Sequence, residues 1–386
     1  MTKAPLGFGM MRLPVIRESE INIDYEQLDQ MVDTFLNAGF TYFDTSFVYH
    51  DGESENAVRR SLVERHPHGE ENYTIATKFP TFAYQSEEEI VQVFEQQLKK
   101  LGVDYIDYYL LHNIQTVLYD GIDGKGGIIN KTHLFEHAMK WKEDGKIRHF
   151  GFSFHSSAKL LDRILTEHPE TEFVQLAVNY VDWTGGFVQA KECCDVVRKH
   201  GKKLIIMEPV KGGTLANLPK DAAAVLKKER PDQSEASWAL RFAASVDNDI
   251  IAILSGMSNL GQMQDNIETM SDIQPLSETE KNALNQAIHM FLESRPISSS
   301  EINKFTGLTY QGVLVTSILD AYSTCQMEPN PFFSDILNYP KNAFAEESHF
   351  DFTEEDLHDA KFILADGTDE TKKVMNALNW LKKHSF

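Results

Sequence analysis

Short apolar runs alternate with stretches of helical spacing eight times, and no other feature of the chain constrains its fold as much. The runs lie near residues 6–9, 41–43, 74–78, 105–111, 147–153, 173–178, 203–207 and 250–254. Each is too short for a helix and rich in aliphatic or aromatic residues, as buried parallel strands are. Between them, Leu28, Met31, Val32 and Phe35 share one helical face, as do Ile90, Phe94, Leu98 and Leu101. Ser86 with Glu89 and Ser277 with Glu280 read as capping boxes, Gly102 as a helix stop, and residues 55–64 as a polar helix. Parallel strands joined by helical crossovers close, after eight repeats, into a (β/α)₈ TIM barrel of the α/β class.

Such a barrel needs about 250 residues, and this chain has 386. We therefore expect a barrel over residues 1–295 and a mostly helical C-terminal extension over 296–386. Ser298-Ser299-Ser300 reads as a linker, and residues 301–323 and 353–383 show helical apolar spacing, for example Val374, Leu378 and Leu381. Glu328-Pro329-Asn330-Pro331 and Asn338-Tyr339-Pro340 break the run between them. Residues 113–129, glycine-rich and long, suggest a lid or pocket wall.

Composition excludes several functions. A formal charge of −21 disfavours nucleic acid and anionic membrane, both polyanions, as partners. Cys193 and Cys194 are adjacent and Cys325 stands alone, so neither a disulfide framework nor a metal-ligand spacing is present, which suits a reducing cytoplasm. No apolar run of about 18 residues marks a membrane span, and Met1-Thr2-Lys3-Ala4-Pro5 lacks the apolar core of a signal peptide.

Chemistry gathers at the strand ends. Asp44 closes the second apolar run, with Tyr49 five residues on; Lys78 closes the third and His112 the fourth. Alone, each has a plain reading as a cap, a surface aromatic, a snorkelling lysine or a structural histidine. A parallel barrel brings the four to one face, where active sites of this fold lie.

The residues Asp44-Thr45-Ser46-x-x-Tyr49, Ala76-Thr77-Lys78, Leu110-Leu111-His112-Asn113 and Gly145-Lys146-Ile147-Arg148-x-x-Gly151-Phe152-Ser153 resemble, in order, those of aldo-keto reductases. The resemblance runs from about residue 5 to about residue 290. It implies a reductase for aldehydes or ketones that takes hydride from NADPH or NADH, since side chains carry none. Tyr49 would be the general acid–base, Lys78 the ammonium that favours its phenolate, Asp44 the partner of Lys78, and His112 the group that orients the carbonyl. Gly9 and Met10 would approach the cofactor by backbone, and Ser153 and Gln175 would hold the nicotinamide carboxamide. Met207 stands where many members stack a tyrosine, ahead of Pro209, Lys211 and Gly212, with Lys211 a candidate for the pyrophosphate. Ser255, Met257, Gln262, Asp265 and Asn266 would line the adenosine side, but this stretch lacks the Lys and Arg that usually clamp a 2′-phosphate. A catalytically idle nucleotide-binding barrel acting as a regulatory or scaffold subunit is the alternative, and a carboxylate-pair hydrolase is disfavoured because Asp44 has no second carboxylate at a comparable strand end.

Tyr49-His50-Asp51-Gly52-Glu53-Ser54-Glu55 most resembles a bacterial branch whose members often carry a C-terminal iron–sulfur domain. Each [4Fe–4S] cluster needs about four cysteines, and residues 296–386 contain only Cys325. The purified protein should therefore be colourless; stoichiometric iron and acid-labile sulfide in a brown preparation would contradict this.

Overall fold

The eight strands of the barrel are short because each runs only the height of the barrel. In the computed structural model, which describes residues 5–16, 22–84, 86–121, 124–184, 188–311, 313–327 and 360–384, they are β1 (Leu6–Gly9), β2 (Tyr42–Asp44), β3 (Thr74–Pro80), β4 (Ile106–Ile114), β5 (Ile147–Phe154), β6 (Phe173–Ala177), β7 (Lys203–Met207) and β8 (Ile250–Ser255). All pair in parallel and in sequence order, and β8 returns to β1, so the sheet has no edge.

Helices form the outer ring: α1 (Tyr25–Asn37), α2 (Ser54–Val58), α3 (Glu87–Leu101), α4 (Thr116–Asp120), α5 (Ile128–Lys131), α6 (Leu134–Glu143), α7 (Ala158–Glu167), α8 (Ala190–Lys199), α9 (Lys220–Glu229), α10 (Glu235–Ala244), α11 (Leu260–Ser271) and α12 (Glu278–Glu293). Their starts are written locally. Asp24, Ser86, Ser157, Ser234, Asn259 and Ser277 each accept a first-turn backbone N–H, a contribution of about 1 kcal/mol per cap.

Strand periodicity builds the barrel interior. Tyr42, Ala76, Leu110, Phe173, Ile205 and Ala252, from six different strands, form one apolar layer. Side chains two residues apart share a face, so the next layer toward the C-terminal mouth contains Asp44, Lys78, His112, Gln175, Met207 and Leu254. Four of these six side chains are polar, so polar chemistry begins at that step.

Several elements differ from expectation. Residues 55–64 are a short α2 followed by a π-helical turn at Arg59–Val63, and Glu55 is fully buried. Residues 113–129 hold α4 and α5, whose Tyr119 and Ile129 are packed into the core. Ser298 caps α13 (Ser299–Ile302) through the N–H of Glu301, and Ser323 bonds both backbone groups of Ile297, so this segment is anchored rather than a free linker. The run expected as one helix contains a small hairpin, β9 (Thr309–Tyr310) and β10 (Val313–Leu314), before α14 (Val315–Met327). Helix α15 (Thr371–His384) closes the described chain; the two proline-containing breaks and residues 353–359 lie outside the described residues.

The capping box of α12 also anchors its neighbour. The Glu280 carboxylate accepts from Ser277 N at 2.7 Å, Arg230 Nε at 2.6 Å and Arg241 Nη1 at 2.8 Å. Burial opposes its ionisation, but these donors outweigh burial and hold its pKa at about 2, below the ordinary 4.5. A depressed carboxylate stabilises the fold fully above its unfolded value and loses that contribution as pH falls toward the folded one. Glu280→Gln strands a buried Arg241, and should cost about 3–5 kcal/mol near pH 7. The gap in thermal stability between parent and variant should shrink as pH falls below 4.5 toward 2; a gap that stays constant would remove the carboxylate from this role.

Candidate active site

Register sets the centre of the site. Asp44 pairs with Ala76 across β2 and β3, and Lys78 lies two residues further along the same face of β3. From there the Lys78 ammonium donates to Asp44 Oδ1, and to the carbonyl of Thr45 at 2.8 Å. Gln175 Nε2 reaches Asp44 Oδ2 at 3.4 Å. Lys78 is only 1% exposed, so its charge is tolerable because it is paired. Burial pushes the Asp44 carboxyl above its ordinary pKa, against the pull of Lys78 and Gln175.

The tyrosine and histidine complete the group. Lys78 Nζ lies 4.9 Å from the centroid of the Tyr49 ring. The Tyr49 and His112 rings meet edge to face, 5.9 Å apart at 84°. His112 Nδ1 is 3.1 Å from Ser46 Oγ. Burial first, then the charge of Lys78 and the ring of His155, hold the His112 pKa well below its ordinary value, so the imidazole is neutral at pH 7. All four expected residues are brought together.

Contacts on the outer side of β3 fix the backbone of Lys78. Gln97 Nε2 donates to the Lys78 carbonyl at 3.1 Å and to Glu55 Oε1 at 2.8 Å. Thr77 Oγ1 donates to the same Glu55 oxygen at 2.7 Å, and Lys100 approaches Oε2 at 3.3 Å. Sequence reading missed Glu55 because these partners lie 22 and 42 residues away and leave no local trace.

The mouth opens into a cleft lined by the ends of β1, β2, β6, β7 and β8 and by the turns after β7 and β8. Asp44 and Tyr49 are on its lining; Lys78 and His112 stand behind them. Of the expected cofactor residues, Gly9, Gln175, Met207, Pro209 and Gly212 line it, as do Ser255, Met257, Gln262, Asp265 and Asn266. Gln175 Oε1 is buried and has no hydrogen-bond partner within the protein, so an acceptor waits on this wall.

Three expected contacts lie elsewhere. Met10 is packed in the core, and its backbone is used by Asp44 O, at 2.8 Å from its N–H, and by Ser54 Oγ, at 3.0 Å from its carbonyl. Ser153 Oγ accepts from the N–H of Asn113 at 2.8 Å. Lys211 is fully buried and paired with Asp182 Oδ2 at 2.5 Å, which removes it from the cleft.

One cation was missed. Arg12, on the loop after β1, lines the cleft, and its guanidinium lies against Gly256, where a Cβ would come 3.6 Å from Nη1. His50 Nε2 fixes that loop by accepting from Leu13 N at 2.9 Å. Among the described residues lining the cleft, Arg12 is the one lysine or arginine. The adjoining Met11-Arg12-Leu13 gave no signal because its relevance depends on β1 lying beside β8.

The mouth of the barrel thus holds Asp44, Lys78, Tyr49 and His112 together beside one cleft. The chain belongs to the aldo/keto reductase family, which it matches over residues 5–289, and is an oxidoreductase of that family. An aldo-keto reductase of Mycolicibacterium vanbaalenii is 28% identical over 242 residues, covering 62% of this chain and 77% of the relative. An uncharacterized oxidoreductase of Bacillus subtilis is 22% identical over 315 residues, covering 72% and 90%. Among solved structures, an aldo-keto reductase of Klebsiella pneumoniae in complex with NADPH superposes with a TM-score of 0.57 at 16% identity, covering 75% of this chain and 96% of the other. The holo form of a Bacillus halodurans aldo-keto reductase gives 0.55 at 22%, covering 74% and 93%. At these identities the superpositions speak for the fold.

Proposed function

We propose that the protein reduces the carbonyl group of an aldehyde or ketone with NADPH or NADH, Tyr49 serving as general acid. The observation that carries this reading is the Tyr49 ring on the cleft wall with the Asp44-paired ammonium of Lys78 beside it. A bound reduced nicotinamide supplies the hydride. Tyr49 gives its phenolic proton to the carbonyl oxygen, and an adjacent ammonium favours the phenolate left behind. Asp44 keeps that ammonium charged and fixed inside the barrel. Neutral His112 orients the oxygen by a hydrogen bond without competing as a proton source.

The residues present fit the cofactor. Gln175 Oε1, an orphaned buried acceptor, suits the N–H₂ of a carboxamide. Gly212 and Gly256 let backbone approach closely. Arg12 is the cation for the dinucleotide phosphates, the part assigned from sequence to Lys211.

Tyr49→Phe should lower turnover by ~10²–10⁴-fold, with nucleotide affinity nearly unchanged. Full turnover of the variant on every carbonyl compound that the parent reduces would exclude Tyr49 as the acid.

Cofactor choice is a separate matter. Ser255, Ser258 and Gln262 are neutral donors, and Asp265 accepts from Ser234 Oγ at 2.7 Å. We expect NADPH to be preferred over NADH by about tenfold or less, ~1.4 kcal/mol, and Gln262→Arg to increase that preference. Fluorescence titration of both nucleotides checks it: a thousandfold preference in the parent, abolished by Arg12→Met, would place Arg12 on a 2′-phosphate.

A further inference from the structure

The turn after β7 has a backbone that its sequence does not favour. Glu208 (φ 54°) and Lys211 (φ 49°) are left-handed, and Gly212 (64°) and Gly213 (101°) follow. The glycines adopt this freely; for Glu208 and Lys211 it costs free energy, which the surroundings must offset. Glu208, Val210, Gly212 and Gly213 line the cleft, so the strained turn is one of its walls.

Two holds act on this turn from behind. Lys211, fully buried and outside the cleft, pairs with Asp182 at 2.5 Å. Asn179 Nδ2 donates to the same Asp182 oxygen at 2.7 Å and approaches the Glu208 carbonyl at 3.5 Å. Its Oδ1 accepts from the N–H groups of Val181 and Asp182, fixing the carboxylate in place.

The second hold is the C-terminal extension. Met207, where the turn begins, packs against a cluster in which Ala177 and Val188 join Ile318, Leu319 and Leu378. Met207 also lines the cleft, so the extension supports one of the cleft's walls directly. Asp320 on α14 accepts from Arg295 Nη1 at 2.6 Å, which ties that helix to the end of the barrel segment.

We propose that the extension is a positioning element for the dinucleotide: its apolar cluster beneath Met207, acting with the Asp182–Lys211 pair, holds the turn 208–213 in the left-handed conformation that shapes the cleft. Lys211 and Leu378 are positioning residues, because neither lines the cleft. The inference rests on the reading of the cleft as the dinucleotide site.

The test uses the full chain with Leu378→Ala, Lys211→Met and Lys211→Gly, and Phe94→Leu as a control on the buried face of α3. NADPH and NADH are titrated by fluorescence, and circular dichroism reports folding. Leu378→Ala and Lys211→Met should weaken nucleotide affinity at least tenfold, with kcat at saturating nucleotide within about threefold of the parent. Lys211→Gly loses the ion pair but also the cost of the left-handed backbone, so it should bind more tightly than Lys211→Met. General destabilisation predicts the reverse order, because glycine removes more packing. Phe94→Leu should lower Tm and leave affinity within twofold. Parent-like affinity in either Leu378→Ala or Lys211→Met, an equal loss in Phe94→Leu, or Lys211→Gly binding no better than Lys211→Met would each overturn the proposal. A parent that binds neither nucleotide would instead overturn the assignment of the cleft.

Discussion

An ammonium buried inside a barrel has to be neutralised where it stands, and the Lys78–Asp44 pair is the constraint on which the rest of the site depends. Removing either partner would leave an uncompensated charge in a low-dielectric interior, a loss of the order of 3–5 kcal/mol. The pair thus locks β2 and β3 in register as firmly as their ladder does. The Thr45 carbonyl and Gln175 take up further hydrogen-bonding capacity around it, and the network of Gln97, Glu55 and Thr77 fixes the backbone of Lys78. Tyr49 consequently meets a cation that has little freedom to move away.

How much of this was legible in the sequence follows from the range of the interactions. Period-two alternation is local, so the layer of Asp44, Lys78 and His112 could be read from strands that end in polar residues. Caps are local too, and Ser86 and Ser277 stand at the helix starts expected of them. Lys211 illustrates the opposite case. Its place beside glycines after a strand suggested a phosphate ligand, yet a carboxylate 29 residues earlier in the chain captures it. Ser298-Ser299-Ser300 has the composition of a linker, but one serine caps a helix, and the neighbouring Ile297 is tied to Ser323. Glu55 and Arg12 acquire their roles only when distant strands or helices are brought alongside, which composition and spacing do not encode.

The overall charge of −21 and the chemistry of the cleft point in different directions, and local arrangement decides between them. Charges separated by more than about 10 Å of salt solution are largely screened, so the excess of surface carboxylates acts weakly on a ligand already in place. Within the cleft, Asp44 is offset by Lys78, while Arg12 lies on a loop that His50 and Ser54 pin at both ends. An acidic protein can in this way still bind an anionic dinucleotide.

The cluster that unites Ala177 and Val188 with Val374, Leu378 and Leu381 also bears on how the protein is made. Synthesis proceeds from the N-terminus at about 5–20 residues per second, so all eight barrel strands emerge before α15 exists. Until that helix arrives, the cluster that supports Met207 lacks Val374, Leu378 and Leu381, although every residue of the reacting group is already present. Ribosome-bound chains would hold a closed sheet with the support on one side of its mouth unfinished.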